Sequence, residues 1–220
     1  MNTSLAILIS GGGTNVQALI DAQARRELGA QVALVISDRA EAYGLQRALQ
    51  HGIAAAFVPL SCAAQQQRAA ARAIWEDRLL ALLAAYTPGL IILSGFMRVL
   101  SASFLDRCGA PVINQHPALL PDEGGESFTT SDGLIIPALR GAHVVRDALH
   151  AGLTITGCSI HRVTPRVDDG PVLARAEVPI LSNDDEASLH ERIKAEERRL
   201  LTALIQQWAA GTHHGTLLAK

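Results

Sequence analysis

Short apolar runs rich in Val and Ile recur along the chain, separated by stretches of helical periodicity: "LAILIS", "QVALVIS", "AAFVPL", "LIILSGFM" and "PVINQH". These five lack the in-and-out alternation of a half-exposed strand, so they read as strands covered by helices on both faces. "GCSIHRV" and "PVLARAEVPI" add two later strands. Between the runs lie "TNVQALIDAQARREL", "EAYGLQRALQHG" and an Ala-rich stretch from Gln65 to Tyr86 that stops before Pro88. In that stretch Trp75, Leu79, Leu80, Leu82 and Leu83 can supply an apolar face. A last helix is expected from about Asp184 or Asp185 to Ala210, with Ser182 or Asn183 as cap and Gly211 as stop. The fold class is therefore α/β: a Rossmann-like, mainly parallel sheet with helices on both faces.

A chain of 220 residues that is 49% hydrophobic can build a sizeable core as one domain over 1–220, and no repeat or long linker asks for a second. The net charge of -2 gives no general attraction to nucleic acid or anionic membrane, which favours a small-molecule partner. No apolar stretch reaches the roughly 18 residues of a membrane span, and "MNTSLAILIS" lacks the flanks of a signal peptide, so a cytoplasmic protein is expected. Cys62, Cys108 and Cys158 are odd in number and lack metal-ligand spacing. They read as buried small hydrophobes, with no metal site.

"SGGGTN", Ser10 to Asn15, leaves a buried strand and opens a helix, where free N–H groups and the helix dipole favour an anion. Three glycines remove the Cβ atoms that would hold a phosphate away. The dinucleotide fingerprint fits Gly11 and Gly13 but meets Val16 at its third position, and no Walker lysine follows Thr14. A single terminal phosphate fits better than a pyrophosphate. The plainer alternative is a tight turn, with Thr14 or Asn15 capping the helix.

"INQHPALLP" ends a strand with Asn114 and His116, whose i, i+2 spacing puts both side chains on one face at its carboxyl end. Pro117 then turns the chain. A carboxamide can donate to an oxygen that gains charge as a carbonyl becomes tetrahedral, worth about 3 kcal/mol, and an imidazole can move the proton. Acyl transfer uses both. A carboxylate would keep such an imidazole protonated, and "VDDGPVLARAEVPI" offers Asp168 and Asp169, although an Asp in such a turn can be purely structural. No G-x-S-x-G elbow is present and neither Cys62 nor Cys158 has an adjacent His, so direct attack by a substrate amine is favoured over an acyl-enzyme.

The ordered set "ISGGGTNVQALID", "LSGFMRVL", "INQHPALLP" and "VDDGPVLARAEVPI" closely resembles the phosphoribosylglycinamide formyltransferase family, over nearly the whole chain. The resemblance implies formyl transfer from 10-formyltetrahydrofolate, as co-substrate, to the amino group of glycinamide ribonucleotide in purine biosynthesis, with no metal. It implies Asn114 as oxyanion donor, His116 as general acid or proton shuttle, and Asp168 as the carboxylate that raises the His116 pKa. It gives Gly13, Thr14 and Asn15 to the substrate phosphate and Glu197, in "KAEERRLL", to the ribose hydroxyls. Met97, Arg98, Val99 and Leu100 resemble the pterin-contacting segment, joined by Asn114, with Arg72 and Arg98 near the folate's acidic tail. His143 and His161 match supporting histidines. His51, His150, His190, His213 and His214 receive no role, the last two reading as a solvated tail. The substrate half would cover about 1–100 and the folate and catalytic half about 90–200.

After "HPALLP" the family usually turns at once into a Pro-Gly-x-His segment. Here "DEGGESFTTSDGLIIPA" intervenes and Arg140 replaces the proline, while Gly141 and His143 remain. "SFTTS-DG-LII" predicts a β-hairpin near residues 122–139, with Asp132-Gly133 as a two-residue turn at positive φ, beside the active cleft as a lid or as a surface excursion. Arg140-Gly141-Ala142 also resembles the Arg-Gly loop of methionyl-tRNA formyltransferase. The alternatives are therefore formyl transfer to methionyl-tRNA or to an amino-sugar nucleotide, or a nucleotide or folate sensor without chemistry. An apolar face could form a homodimer contact.

Overall fold

The structure, a computed structural model, describes residues 2–61, 67–122 and 124–212. Cys62, the first residues of the Ala-rich stretch and the His213-His214 pair lie outside the described residues. The chain divides into two compact units, Met1–Val112 and Ile113–Lys220.

In the first unit the expected alternation of strand and helix appears. The elements are β1 (Ser4–Ile9), α1 (Thr14–Ala24), β2 (Gln31–Ser37), α2 (Tyr43–Gln50), β3 (Ala54–Phe57), α3 (Arg68–Tyr86), β4 (Leu90–Leu93) and α4 (Ala102–Arg107). Its strand order is β3-β2-β1-β4, all parallel, with Ile7 opposite Val35 on one side and Ile92 on the other. Leu5 to Ile9 are fully buried, the reason β1 reads as an unbroken apolar run. The helix α3 buries Trp75, Leu79 and Leu83, each Leu worth about 1.5–3 kcal/mol of transfer free energy. Trp75 stacks on Phe96 at 6.1 Å and donates its indole N–H to the Val58 carbonyl. Thr87, left-handed at φ 44, ends the helix before Pro88. The short helix α4 carried no apolar periodicity, but its cap was written in the chain: the Ser101 hydroxyl accepts the Phe104 N–H.

The second unit holds β5 (Val112–His116) from its second residue onward, then β6 (Ser127–Thr129), β7 (Ile135–Pro137), α5 (Val144–His150), β8 (Ile155–Arg162), β9 (Val172–Pro179) and α6 (Glu186–Ala209). Here β5 pairs antiparallel with β8, and β8 antiparallel with β9, so the parallel character belongs to the first unit. Behind these strands Val144 and Val145 of α5 and Leu189 and Ile193 of α6 pack with Ala118, Cys158 and Val178. The cap of α6 is Asp185, not Ser182 or Asn183. Its carboxylate accepts the Ser188 N–H while the Ser188 hydroxyl accepts the Asp185 N–H, a closed capping box that neither earlier residue offers.

The hairpin is present, β6 against β7 with Phe128 opposite Ile136, but its turn differs from the expected one. Gly133 N–H donates to the Thr130 carbonyl and Thr130 N–H to the Leu134 carbonyl, which makes a three-residue loop, Ser131 to Gly133. Of Asp132 and Gly133 only Gly133 has positive φ, at 87°. Asp132 avoids the left-handed region and instead accepts the Thr130 hydroxyl and the Leu134 N–H.

Candidate active site

In the first unit the chain order reverses at β1, with β2 on one side and β4 on the other, the place where open α/β sheets take ligands. The glycine turn stands there. Gly13 is the N-cap of α1 at φ 66, and no side chain caps the helix, so the reading with Thr14 or Asn15 as cap does not hold. The turn is built by backbone approach: a Cβ on Gly13 would lie 2.6 Å from the Gly44 Cα. Gly44 N–H donates to the Gly11 carbonyl, and Arg47 donates to the Gly12 carbonyl at 2.9 Å and to Gln17. Thr14 is exposed and Asn15 buried. The N-terminal N–H groups of α1 therefore end in a turn stripped of side chains, with the Arg47 cation beside it.

Two buried carboxylates, unmarked in the sequence, hold Arg98 and Arg72. Asp38 accepts the Ser10 hydroxyl at 2.6 Å and Arg98 Nε at 2.7 Å. Ser10 in turn accepts the Met97 N–H, fastening the "GFMRVL" segment to the end of β1. Glu76 accepts the Ser101 N–H and hydroxyl and pairs with Arg72 Nε at 3.3 Å. Both arginines thus commit an edge of the guanidinium to the protein and keep about two fifths of the side chain exposed. Met97 and Val99 are exposed, whereas Leu100 is buried.

The second unit brings Asn114, His116, His161 and Asp168 together. Asn114 lies directly opposite His161 in the β5–β8 ladder, and His116 shares the Asn114 face while Gln115 points away, donating to the Glu197 carbonyl. Asp168 reaches the cluster from the loop between β8 and β9, in the left-handed region at φ 50. Gly170 makes that loop possible: any Cβ there would be driven into the Arg162 carbonyl. Asp168 Oδ2 lies 3.4 Å from His116 Nδ1 and accepts the Gly141 N–H at 3.0 Å. Asp168 Oδ1 lies 3.4 Å from Asn114 Nδ2 and 3.5 Å from His161 Nε2. Asp169 turns outward to Arg140 and Arg166. Of the two acids, Asp168 is the one inside.

Hydrogen-bond roles follow from the acceptors. His161 Nδ1 faces the Arg162 carbonyl at 2.9 Å and must donate, so a neutral His161 ring accepts Asn114 Nδ2 at Nε2, 3.1 Å away. Both hydrogens of the Asn114 amide are therefore engaged, one well and one at 3.4 Å. His116 Nε2 faces the Leu139 carbonyl at 2.8 Å and must donate too, which leaves Nδ1, beside Asp168, as the only basic position of the neutral ring.

Burial corrects one expectation. Asp168 does pull the His116 pKa up, as does the Leu139 carbonyl, but desolvation of a ring only 3% exposed outweighs them and His161 and Arg140 oppose them too. The His116 pKa is lowered, not raised. For Asp168 burial pushes the carboxyl up, but the His161 ring, the His116 charge and the Gly141 N–H together bring it below the usual carboxylate range. The Cys158 thiol is pushed up to about 12 by burial, which removes it as a nucleophile. Glu197 is buried on α6. His143 stands exposed at the N-cap of α5, where its backbone carbonyl accepts the Asp147 N–H. Among the described residues no helix is long and apolar enough to cross a membrane.

Known proteins resemble this chain over nearly its whole length. Residues 3–205 match the formyl transferase family model. A phosphoribosylglycinamide formyltransferase of Mycobacterium tuberculosis is 37% identical over 216 residues, covering 98% of this chain and 88% of the relative. The Escherichia coli phosphoribosylglycinamide formyltransferase is 34% identical, covering 94% of this chain and 88% of the relative. The crystal structure of glycinamide ribonucleotide transformylase 1 from Symbiobacterium toebii superposes with a TM-score of 0.80 at 34% identity, over 96% of this chain and 89% of that one. With this likeness running almost end to end, the chain belongs to the formyl transferase family, among its phosphoribosylglycinamide formyltransferases.

Proposed function

We propose that this chain transfers the formyl group of 10-formyltetrahydrofolate to the amino group of 5-phosphoribosylglycinamide in purine biosynthesis. The observation that carries the proposal is the Asn114, His116, His161 and Asp168 cluster, in a chain whose relatives carry that activity in their names.

The amine nitrogen attacks the formyl carbon, a C–N bond forms, and the carbonyl electron pair moves to oxygen. Asn114 Nδ2 donates to that oxygen by giving up its longer bond, the one to Asp168 Oδ1, while His161 holds the amide plane. The proton released by the amine goes to His116 Nδ1, the neutral ring's free position, where the Asp168 charge stabilises the imidazolium. Collapse of the tetrahedral centre breaks the bond to the folate nitrogen, which takes the proton from His116 and leaves as tetrahydrofolate. No enzyme nucleophile takes part.

Gly13, Thr14 and Asn15 hold the substrate phosphate in this reading, and Glu197 accepts from the ribose hydroxyls. Met97 to Leu100 and Asn114 meet the pterin, with Arg72 and Arg98 toward the acidic tail of the folate. His161 is a support, and His143 supports only through the start of α5. The whole of 1–220 works as one formyltransferase domain, in the cytoplasm, on small molecules, without nucleic acid, membrane or metal. Sedimentation equilibrium would tell monomer from homodimer.

The test is tetrahydrofolate release with glycinamide ribonucleotide, methionyl-tRNA and amino-sugar nucleotides as acceptors, repeated with His116→Ala. Turnover with glycinamide ribonucleotide alone, lost in the variant, is expected. Preference for another acceptor would move the activity to that alternative, and tight phosphate-ligand binding with no turnover would make the protein a sensor.

A further inference from the structure

Arg140, where the family pattern has a proline, makes three bonds to backbone carbonyls. Its Nε donates to the Asp168 carbonyl at 3.0 Å, Nη2 to the Gly125 carbonyl at 2.8 Å and Nη1 to the Ala138 carbonyl at 3.4 Å. The next residue, Gly141, donates its N–H to the Asp168 carboxylate. Asp168 is thus gripped at main chain and side chain by consecutive residues, in a left-handed conformation that a non-glycine residue holds only when its surroundings impose it. Two of the carbonyls that fix the guanidinium belong to the inserted segment.

That segment is itself fastened to β9 at several places. Ser131 donates its N–H and hydroxyl to Glu177, and Arg175 pairs with Asp122 while lying over the Phe128 ring at 4.9 Å. Gly124 packs so closely on Asp169 that a Cβ would meet its Oδ1 at 2.9 Å. A lid has to swing, and a segment held at both its base and its tip is poorly suited to that.

We propose that Arg140 is a positioning residue for Asp168, and that the insertion of residues 122–139 is a brace that holds Arg140 in place. A proline at this position has no side-chain donor with which to make the bond. In this chain the arginine and the insertion form one device: the insertion supplies acceptors for two arms of the guanidinium, and the third arm fixes the carbonyl of the acid beside His116. The proposal rests on the reading of Asp168 given under Proposed function.

The experiment is a double-mutant cycle on the full chain with Arg140→Met and Asp168→Asn, with Arg140→Lys as a conservative partner and circular dichroism as a check on folding. Arg140→Met should lower kcat about 10- to 100-fold through misplacement of Asp168 and leave both KM values within about threefold. Arg140→Lys should recover part of the loss. In the Asp168→Asn background Arg140→Met should add little, because its effect runs through the residue already changed. Full additivity, or a kcat within twofold of wild type, would overturn the brace.

A second arm uses no substrate. The imidazole C–H of His116 is titrated by NMR with and without Asp168→Asn, in wild type and in Arg140→Met. The Asp168→Asn shift should be clearly smaller when Arg140 is gone, and an undiminished shift would overturn the proposal. This arm reads the brace even where no acceptor is turned over, so it separates failure of the brace from failure of the proposed function. If Arg140→Met does not fold, Arg140→Lys carries both arms.

Discussion

The glycine turn and the Asn114–His116–His161–Asp168 cluster solve opposite problems. The turn is built by removing side chains, stays open to solvent, and depends on two backbones approaching at Gly13 and Gly44. The cluster is built by burying His116, His161 and Asp168 beside a half-buried Asn114, with partners supplied by distant parts of the sequence. In the proposed reaction the turn holds an anion without changing its own charge, whereas the cluster passes a proton through His116, whose pKa burial lowers. Binding and chemistry are thus separable by mutation.

The largest separation is expected from His116→Ala. It should lower kcat by about 100- to 10,000-fold while equilibrium binding of ribose 5-phosphate stays within a factor of about two. Loss of phosphate binding in that variant would break the comparison. Asn114→Ala comes next, with kcat/KM down by roughly 100- to 1,000-fold from loss of an oxyanion donor, measured with both substrates saturating in turn. Gly13→Ala should act on the other side. Left-handed backbone and the blocked approach to Gly44 make it destabilising by roughly 1–3 kcal/mol, seen by urea unfolding, and should raise the KM for the phosphorylated acceptor more than they lower kcat.

The smallest effect is a displacement of the pH profile. Because burial lowers the His116 pKa, the acid limb of kcat/KM should fall below the ordinary histidine value near 6.5, with activity rising as the ring loses its proton. Asp168→Asn removes the main upward pull and should move that limb to lower pH again; a move upward would contradict the assignment. Stability follows the same sign. A depressed folded-state histidine pKa means that protonation opposes folding, so stability should begin to fall as pH drops below about 6.5.

The same contrast explains what the sequence disclosed. A glycine turn between strand and helix is local, so "SGGGTN" was legible, as was the i, i+2 spacing of Asn114 and His116. Asp38 and Glu76 were not, since a carboxylate meant for a buried partner looks the same in sequence as one meant for water. The antiparallel pairing of β5 with β8 was hidden for a similar reason: burial on both faces produces the same unbroken run in either direction. The net sign of the His116 shift is not legible in the sequence: the carboxylate partner can be read from the motif, whereas the extent of desolvation is set by the whole fold around the ring. In the sequence Arg140 stands as a departure from the family pattern and as part of an Arg-Gly pair; its acceptors are backbone carbonyls, which no residue letter records.

Arg98 and Arg72 have a consequence for the thermodynamics of whatever meets them. A long cationic side chain that is free in solution surrenders up to about 2 kcal/mol of rotamer entropy when a ligand immobilises it. With Nε already tied to Asp38 or Glu76, much of that freedom is gone before a ligand arrives. An anion with its own charges rigidly spaced should therefore bind with a small entropic penalty on either side of the contact, and a flexible one should lose mainly its own. Calorimetry on a matched pair of rigid and flexible dicarboxylates would show the difference in entropy at nearly equal enthalpy.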